Sequence, residues 1–309
     1  MIPGLEKWPR LSALLTSARR HGAARTGVVF PLTEQALGAA CEAHRLGLMT
    51  AVLYGPGNRM EALAARHGLS LAGIEVVDTI DDPVACARQA VAGCRQGELA
   101  ALMKGSLHTD ELLSAVVARE GGLRTSQRIS HAFVFDVPAY HKLLMVADAV
   151  VNVSPDATIK KSIVQNAIYA AHKLGIANPK VAFLAASENL HAGNSATGDA
   201  AILNEMARAG EITGGILGGP FGFDNAISLR AANIKGIESD VAGDADILIA
   251  PDLNAGNILY KSLVYMAGAE CAGVVLGTQV PVILTSRADS GTSRIASCAL
   301  ASLLARAAS

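Results

Sequence analysis

No unbroken apolar run in this 309-residue chain approaches the ~18 residues that a membrane-spanning helix needs, although hydrophobic residues make up 51% of it. Ala-rich helices on both faces of a sheet would bury much of that surplus, and a subunit interface the rest, so a homodimer or higher homo-oligomer is expected. An excess of basic charge is also missing. With 26 Lys and Arg against 27 Asp and Glu, the chain lacks the electrostatic footprint of a nucleic-acid binder. The cluster Arg19, Arg20 and His21 with Arg25 reads as a solvated helix end. Small molecules are the expected partners, with no nucleic acid and no membrane. Paired cysteine spacing is absent too: Cys41, Cys86, Cys94, Cys271 and Cys298 are odd in number, form no C-x-x-C and sit mostly among Ala and Val. They read as buried thiols of a reducing compartment. Met1 to His21 holds no unbroken apolar core of a signal or transit peptide, so the expected localisation is cytoplasmic.

Several chemical signatures are missing as well. Gly214 to Pro220 fits neither G-x-G-x-x-G nor G-x-x-x-x-G-K-[ST], so nucleotide fingerprints are absent and the stretch reads as tight turns. H-E-x-x-H and G-x-S-x-G are not found, which argues against a zinc hydrolase or an α/β-hydrolase. Asp240, Asp244 and Asp246 cluster without His or Cys nearby and read as a solvated loop, so no metal site is expected.

What the chain does contain is a rhythm of short aliphatic runs and longer Ala-rich, charge-dotted stretches, the pattern of alternating strands and helices. Gly27 to Pro31, Thr50 to Tyr54, Ile74 to Asp78 and Leu99 to Met103 read as strands, with helices such as Thr33 to Leu46 and Asp82 to Arg95 between them. Gly47, Gly68 and Gly97 fall where helices should stop. Beyond Gly121-Gly122 the spacing changes, and His131 to Asp136 with Leu143 to Val153 suggests a locally antiparallel pair. Helices at Thr158 to Leu174, Gly198 to Ala209 and Gly256 to Met266 follow, with strands at Val181 to Ala185, near Ile216, at Asp246 to Ile249 and at Ala272 to Leu276. Pro281 to Thr285 and a helix from Ser290 to Ala307 close the chain. The expected division is 1–125 with 275–309 as a first α/β lobe and 126–274 as a second, with an active-site cleft between them.

Three loops carry candidate chemistry. Ser286-Arg287-Ala288-Asp289 follows the apolar run Val282 to Thr285 and sets a hydroxyl, a guanidinium and a carboxylate where a buried strand ends, the place where open α/β sheets collect ligands. A serine capping the last helix, with Arg287 and Asp289 solvated, accounts for the same residues. Lys104-Gly105-Ser106-Leu107-His108-Thr109 follows another strand and leads into a helix from Asp110 to Arg119. Lysine charge, close backbone approach at Gly105 and free N–H groups at the helix start suit an anion. Thr109 as an ordinary N-cap is the competing account, and His108 is either a proton carrier or a polar loop residue. The third loop, Pro251 to Asn257, leads into a helix on which Asn257 and Lys261 share a face.

Taken in order, Ala101 to Thr109 (ALMKGSLHT), Gly243 to Ile247 (GDADI), Pro251-Asp252, Ala255 to Lys261 (AGNILYK) and Pro281 to Arg287 (PVILTSR) resemble the phosphate acetyltransferase and phosphate butyryltransferase family. The likeness covers most of the chain. It implies a two-lobed, three-layer α/β/α fold of the isocitrate/isopropylmalate dehydrogenase-like type. It also implies reversible transfer of an acetyl or short-chain acyl group between coenzyme A and inorganic phosphate, by direct attack of the CoA thiolate in a ternary complex. Coenzyme A, acyl phosphate and phosphate would be substrates, with no tightly bound cofactor. Ser286 would lie near the thiol and Arg287 on the phosphate, with Lys104, Gly105, Ser106, His108, Thr109, Asn257 and Lys261 binding substrate.

Two positions depart from the family pattern. Ser293 stands where acetyl-type members carry an aspartate base, so Asp289, three residues from Ser286, is the nominee for that role. An arginine expected near Ser114 is missing, and Arg124 or Arg294 is the substitute. The rival reading is a catalytically impaired protein of the same fold that still binds CoA or acyl phosphate, and a third is a metal-dependent dehydrogenase.

Overall fold

Side-chain caps and left-handed glycines delimit the first helices. In the computed structural model, which describes residues 5–284 and 289–305, the chain runs through α1 (Pro9–Arg20), β1 (Ala24–Val29), α2 (Glu34–Arg45), β2 (Met49–Gly55), α3 (Gly57–His67), β3 (Glu75–Asp78), α4 (Pro83–Arg95), β4 (Ala101–Lys104) and α5 (Thr109–Val116). Thr33 accepts the Ala36 N–H at the start of α2, and Asp82 accepts those of Val84 and Ala85 at the start of α4. Gly47, Gly68 and Gly97 take φ of 69°, 63° and 77° where α2, α3 and α4 end, as their positions predict. β5 (Ser130–Asp136), β6 (Leu144–Ala147), α6 (Ala157–Lys173), β7 (Lys180–Leu184), α7 (Ser195–Arg208), β8 (Ile216–Phe221), α8 (Phe223–Ile227), α9 (Leu229–Ile234), β9 (Ile247–Ile249) and α10 (Leu253–Tyr265) come next. They are followed by β10 (Glu270–Leu276), β11 (Val282–Ile283) and α11 (Gly291–Leu304). Among the described residues no helix is long and apolar enough to cross a membrane.

The chain forms two units, Met1–Ser126 with Ala272–Ser309, and Gln127–Cys271. In the first, the strands are ordered β3-β2-β1-β4-β11-β10, parallel except where β10 meets β11. Right-handed crossovers explain where the helices go: the chain steps outward from β1 to β3 and then jumps back to β4, so α4 falls on the face opposite α2 and α3. In the second unit the order is β5-β6-β9-β7-β8, parallel except for β5 against β6. Both are α/β layers, the class expected. All five cysteines are buried, and burial pushes the Cys94 and Cys298 thiols up to about 12.

Three expectations give way to the structure. The valine-rich run Leu143 to Val153 is a strand only to Ala147, because the Asp148 carboxylate then draws in the N–H groups of Val150, Val151 and Asn152 and turns the chain. Gly214 to Pro220 is not a series of tight turns. From Ile216 on it is β8, where a Cβ on Gly219 would lie 2.8 Å from the Phe183 carbonyl oxygen, so glycine lets β8 lie against β7. Nor are Asp244 and Asp246 a solvated pair. Lys142 reaches both (3.0 and 2.8 Å), while Lys180 and His141 also reach Asp244 (2.7 and 2.8 Å). Partial burial works to raise the Asp244 carboxyl. Hydrogen bonds from Lys180 and Lys142, the Lys142 charge and the His141 contact outweigh it and hold that carboxyl far below the usual range.

His131 on β5 is buried to 1% exposure, lies 4.4 Å from the Phe133 ring, and among the described residues has no hydrogen-bond partner for either ring nitrogen. Burial lowers its pKa to about 4, and the Asp148 charge opposes that less strongly. The native imidazole is therefore neutral while the unfolded chain takes up a proton below about pH 6.5, so stability falls as pH drops from there towards about 4. Urea unfolding of the wild type should show a loss of roughly 2 kcal/mol between about pH 7.5 and about pH 5 from this residue. His131→Phe should remove that part of the slope. An unchanged slope in the variant would place the titration elsewhere.

Candidate functional site

Strand order in the first unit reverses between β1 and β4, and open α/β sheets gather ligands outside the carboxyl ends of strands at such a switch point. Two segments cross there. Gly105 N–H donates to the Val29 carbonyl (2.9 Å), Ser106 N–H to that of Phe30 (2.8 Å), and the Ser106 hydroxyl to Thr33 Oγ1 (3.2 Å). The crossing is so close that a Cβ on Gly105 would sit 2.2 Å from the Val29 oxygen, which explains the glycine. Lys104 Nζ folds back onto the carbonyls of Leu107 (3.0 Å) and Gly105 (3.3 Å), so the ammonium stiffens the loop that carries it. β11 runs beside β4 with Val282 against Leu102 and Ile283 against Met103, and the two strands end almost level.

Ser286 and Arg287 lie outside the described residues. Asp289 is half-buried and precedes α11, whose cap is Ser290, its hydroxyl accepting the Ser293 N–H at 2.8 Å. Two readings change as a result. Capping the last helix falls to Ser290 and not to Ser286, and Asp289 stands before α11, which begins at Gly291, and not in its first turn. Ser293, where the family pattern has an aspartate, is buried inside α11 with its carbonyl accepting the Ser297 hydroxyl. At α5 the cap is His108 and not Thr109: the Glu111 carboxylate accepts the His108 N–H at 2.6 Å, which starts the helix at Thr109. That carboxylate occupies the first amide offered to an anion, leaving Lys104 as the loop's positive charge. His108 and Thr109 are exposed beside it. Arg294 is buried on α11 and lines a cavity of about 490 Å³ with Glu34, Glu42, Gly38 and Leu69. Arg124 is exposed, its backbone bridged to Thr278.

The second unit carries Asn257 and Lys261. Asp252 caps α10 by accepting the Ala255 N–H (2.9 Å), and the helix shows Asn257, half-buried, and Lys261, exposed, one turn apart. A Cβ on Gly256 would lie 2.5 Å from the Asp148 carbonyl oxygen, so α10 presses directly on the turn after β6. Asn257 Nδ2 reaches the Ala149 carbonyl at 3.4 Å, and the Leu253 N–H reaches that of Val153 at 3.1 Å. Sequence reasoning missed this turn. The available signal was the pair Asp148 and Asn152 inside an otherwise apolar run, where a strand would have had to bury both. Among the described residues no group of three or more His, Cys, Asp and Glu is arranged to hold a metal ion.

A family pattern described as "Phosphate acetyl/butaryl transferase" matches residues 79–302. The chain is similar to the phosphate acetyltransferase of Rhizobium meliloti, 48% identical over 303 residues that make up 97% of this chain and 96% of the relative. It is also similar to the phosphate butyryltransferase of Clostridium beijerinckii, 38% identical across 94% of this chain and 96% of that protein. Among solved structures, a branched-chain phosphotransacylase from Enterococcus faecalis V583 superposes with a TM-score of 0.79 at 28% identity, covering 91% of this chain and 99% of that one.

Proposed function

The chain belongs to the phosphate acetyl/butaryl transferase family, and from that membership we propose that it exchanges an acetyl or short-chain acyl group between coenzyme A and inorganic phosphate: acyl-CoA + phosphate ⇌ acyl phosphate + CoA. The observation that carries the reading is that the family match runs through every candidate loop, from Lys104 to Asn257, Lys261, Ser286 and Arg287. In the acyl-CoA-forming direction the CoA thiolate attacks the acyl phosphate carbonyl, a C–S bond forms, the C–O bond breaks, and phosphate leaves with the electron pair. Thioester and acyl phosphate stand at the same oxidation level, so the exchange asks only for proton transfer and charge stabilisation. CoA enters and leaves as a substrate, without a tightly bound cofactor.

Each demand has a nominee. The thiol must lose its proton, which Ser286 would orient and Asp289 would accept. The oxyanion and the departing phosphate need positive charge, which Arg287 and Lys104 would supply. The level ends of β4 and β11 support this assignment, because Lys104 and the chain leaving Ile283 start from neighbouring strands. Five buried cysteines without C-x-x-C spacing support a cytoplasmic enzyme.

Phosphate-dependent release of free thiol from acetyl-, propionyl- and butyryl-CoA is the direct test. Turnover on the order of 10 s⁻¹ with at least one of them is expected of an ordinary enzyme. Absence of phosphate-dependent release with all three would overturn the proposal.

A further inference from the structure

Resting on that reading, we infer that Arg128 is a further substrate-binding residue, one that grips a phosphoryl oxygen of the reacting partners. The argument begins at Asp148, whose buried carboxylate is saturated by four donors: Val150 N–H (2.8 Å) and Val151 N–H (3.0 Å) on Oδ1, Asn152 N–H (3.2 Å) and Asn152 Nδ2 (2.7 Å) on Oδ2. The Asn152 amide, 5% exposed, is thereby oriented. Its Nδ2 also donates to the Ile129 carbonyl at 2.9 Å, and its Oδ1 accepts Arg128 Nε–H at 3.0 Å. A second buried amide, Asn166 on α6, donates to the Arg128 carbonyl and the Ser130 hydroxyl, both at 2.9 Å.

Three buried polar side chains therefore hold one exposed arginine by its backbone and by Nε alone. Among the described residues neither terminal nitrogen of Arg128 makes a hydrogen bond, and no carboxylate forms an ion pair with it. An arginine that serves only as a solvated surface charge needs none of this support, since a long side chain fixed in one geometry loses rotamer entropy. A guanidinium held by Nε with its fork uncommitted is prepared for bidentate contact with an oxyanion.

Its location agrees. β5 runs antiparallel to β6 with Ala132 opposite Ala147, which brings residues 128–130 to the carboxyl end of β6 and the Asp148 turn. The same turn anchors α10 through Asn257 and Leu253. Arg128 and the Asn257–Lys261 face hang on one short loop.

Phosphoryl oxygens come from two sources, the phosphate or acyl phosphate that reacts and the 3′-phosphate and diphosphate of CoA. Arg128→Gln and Arg128→Lys separate them through KM values for phosphate and for acyl-CoA, and through calorimetric binding of phosphate, CoA and dephospho-CoA. In Arg128→Gln at least one constant should weaken roughly ten- to a hundredfold while kcat changes less than about threefold, with Arg128→Lys between. Weakening for phosphate assigns the reacting anion. Weakening for CoA but not dephospho-CoA assigns the 3′-phosphate, and weakening for both assigns the diphosphate. An active wild type with all three constants within about twofold in Arg128→Gln overturns this inference and leaves the proposed function standing, as does a fall in kcat with every binding constant unchanged. A wild type that binds neither phosphate nor CoA overturns both.

Discussion

Gly105→Ala should destabilise the protein by about 3 kcal/mol or more and abolish most activity in whatever fraction still folds. The atoms a new Cβ would meet are backbone: the Val29 oxygen at 2.2 Å, the Phe30 oxygen at 2.6 Å and the Phe30 carbon at 2.7 Å. No rotamer change relieves them. The two hydrogen bonds of the crossing, from Gly105 and Ser106 to those carbonyls, would have to lengthen together. Phe30 already holds φ at 54°, so the partner segment has little freedom to retreat. Separating the segments also detaches the Lys104 loop from the switch point. Urea denaturation gives the loss of stability, and initial rates on the folded fraction give the loss of function. A variant with the wild-type midpoint and rate would show that the crossing is loose in solution.

Arg287→Gln carries the second large effect. Under the proposed exchange its guanidinium faces charge that grows on both the oxyanion and the leaving phosphate, and a neutral amide cannot replace it. A drop of about 10³-fold in kcat/KM is expected, equivalent to roughly 4 kcal/mol of transition-state stabilisation. Ser286→Ala should cost less, about 10²-fold, because the carbonyl addition remains possible without a hydroxyl beside the sulfur. Melting temperatures measured alongside the initial rates separate chemistry from folding. Losses below about tenfold in both variants would move the reacting atoms away from this loop.

The layered α/β architecture was legible because aliphatic runs, helix caps and glycines recur at the spacing of one strand and one helix, and Asp82, Gly68 and Gly97 act where their positions suggest. What escaped reading depends on contacts, local and distant, that periodicity does not report. Leu143 to Val153 looks like one strand because valine and alanine dominate it, and only the folded turn shows Asp148 collecting amides from its own neighbours. Arg128 and Asn152 are 24 positions apart, in two loops that β5 and β6 bring together, and no spacing rule connects them. At the Lys104 loop the cation and the glycine were visible in order. That Glu111 would take the first amide of α5 followed from the helix beginning at Thr109, a boundary that pattern alone leaves uncertain by a residue or two.

The sequestered sulfur atoms have a practical corollary. A colorimetric disulfide reagent added to the native enzyme meets only buried cysteine thiols, since Cys41, the most exposed of the five, shows only 9% of its surface and burial raises its pKa as well. Colour developed during turnover then counts liberated coenzyme A alone, and the same reagent in denaturant reads five equivalents per chain, a built-in gauge of how much of the sample is folded.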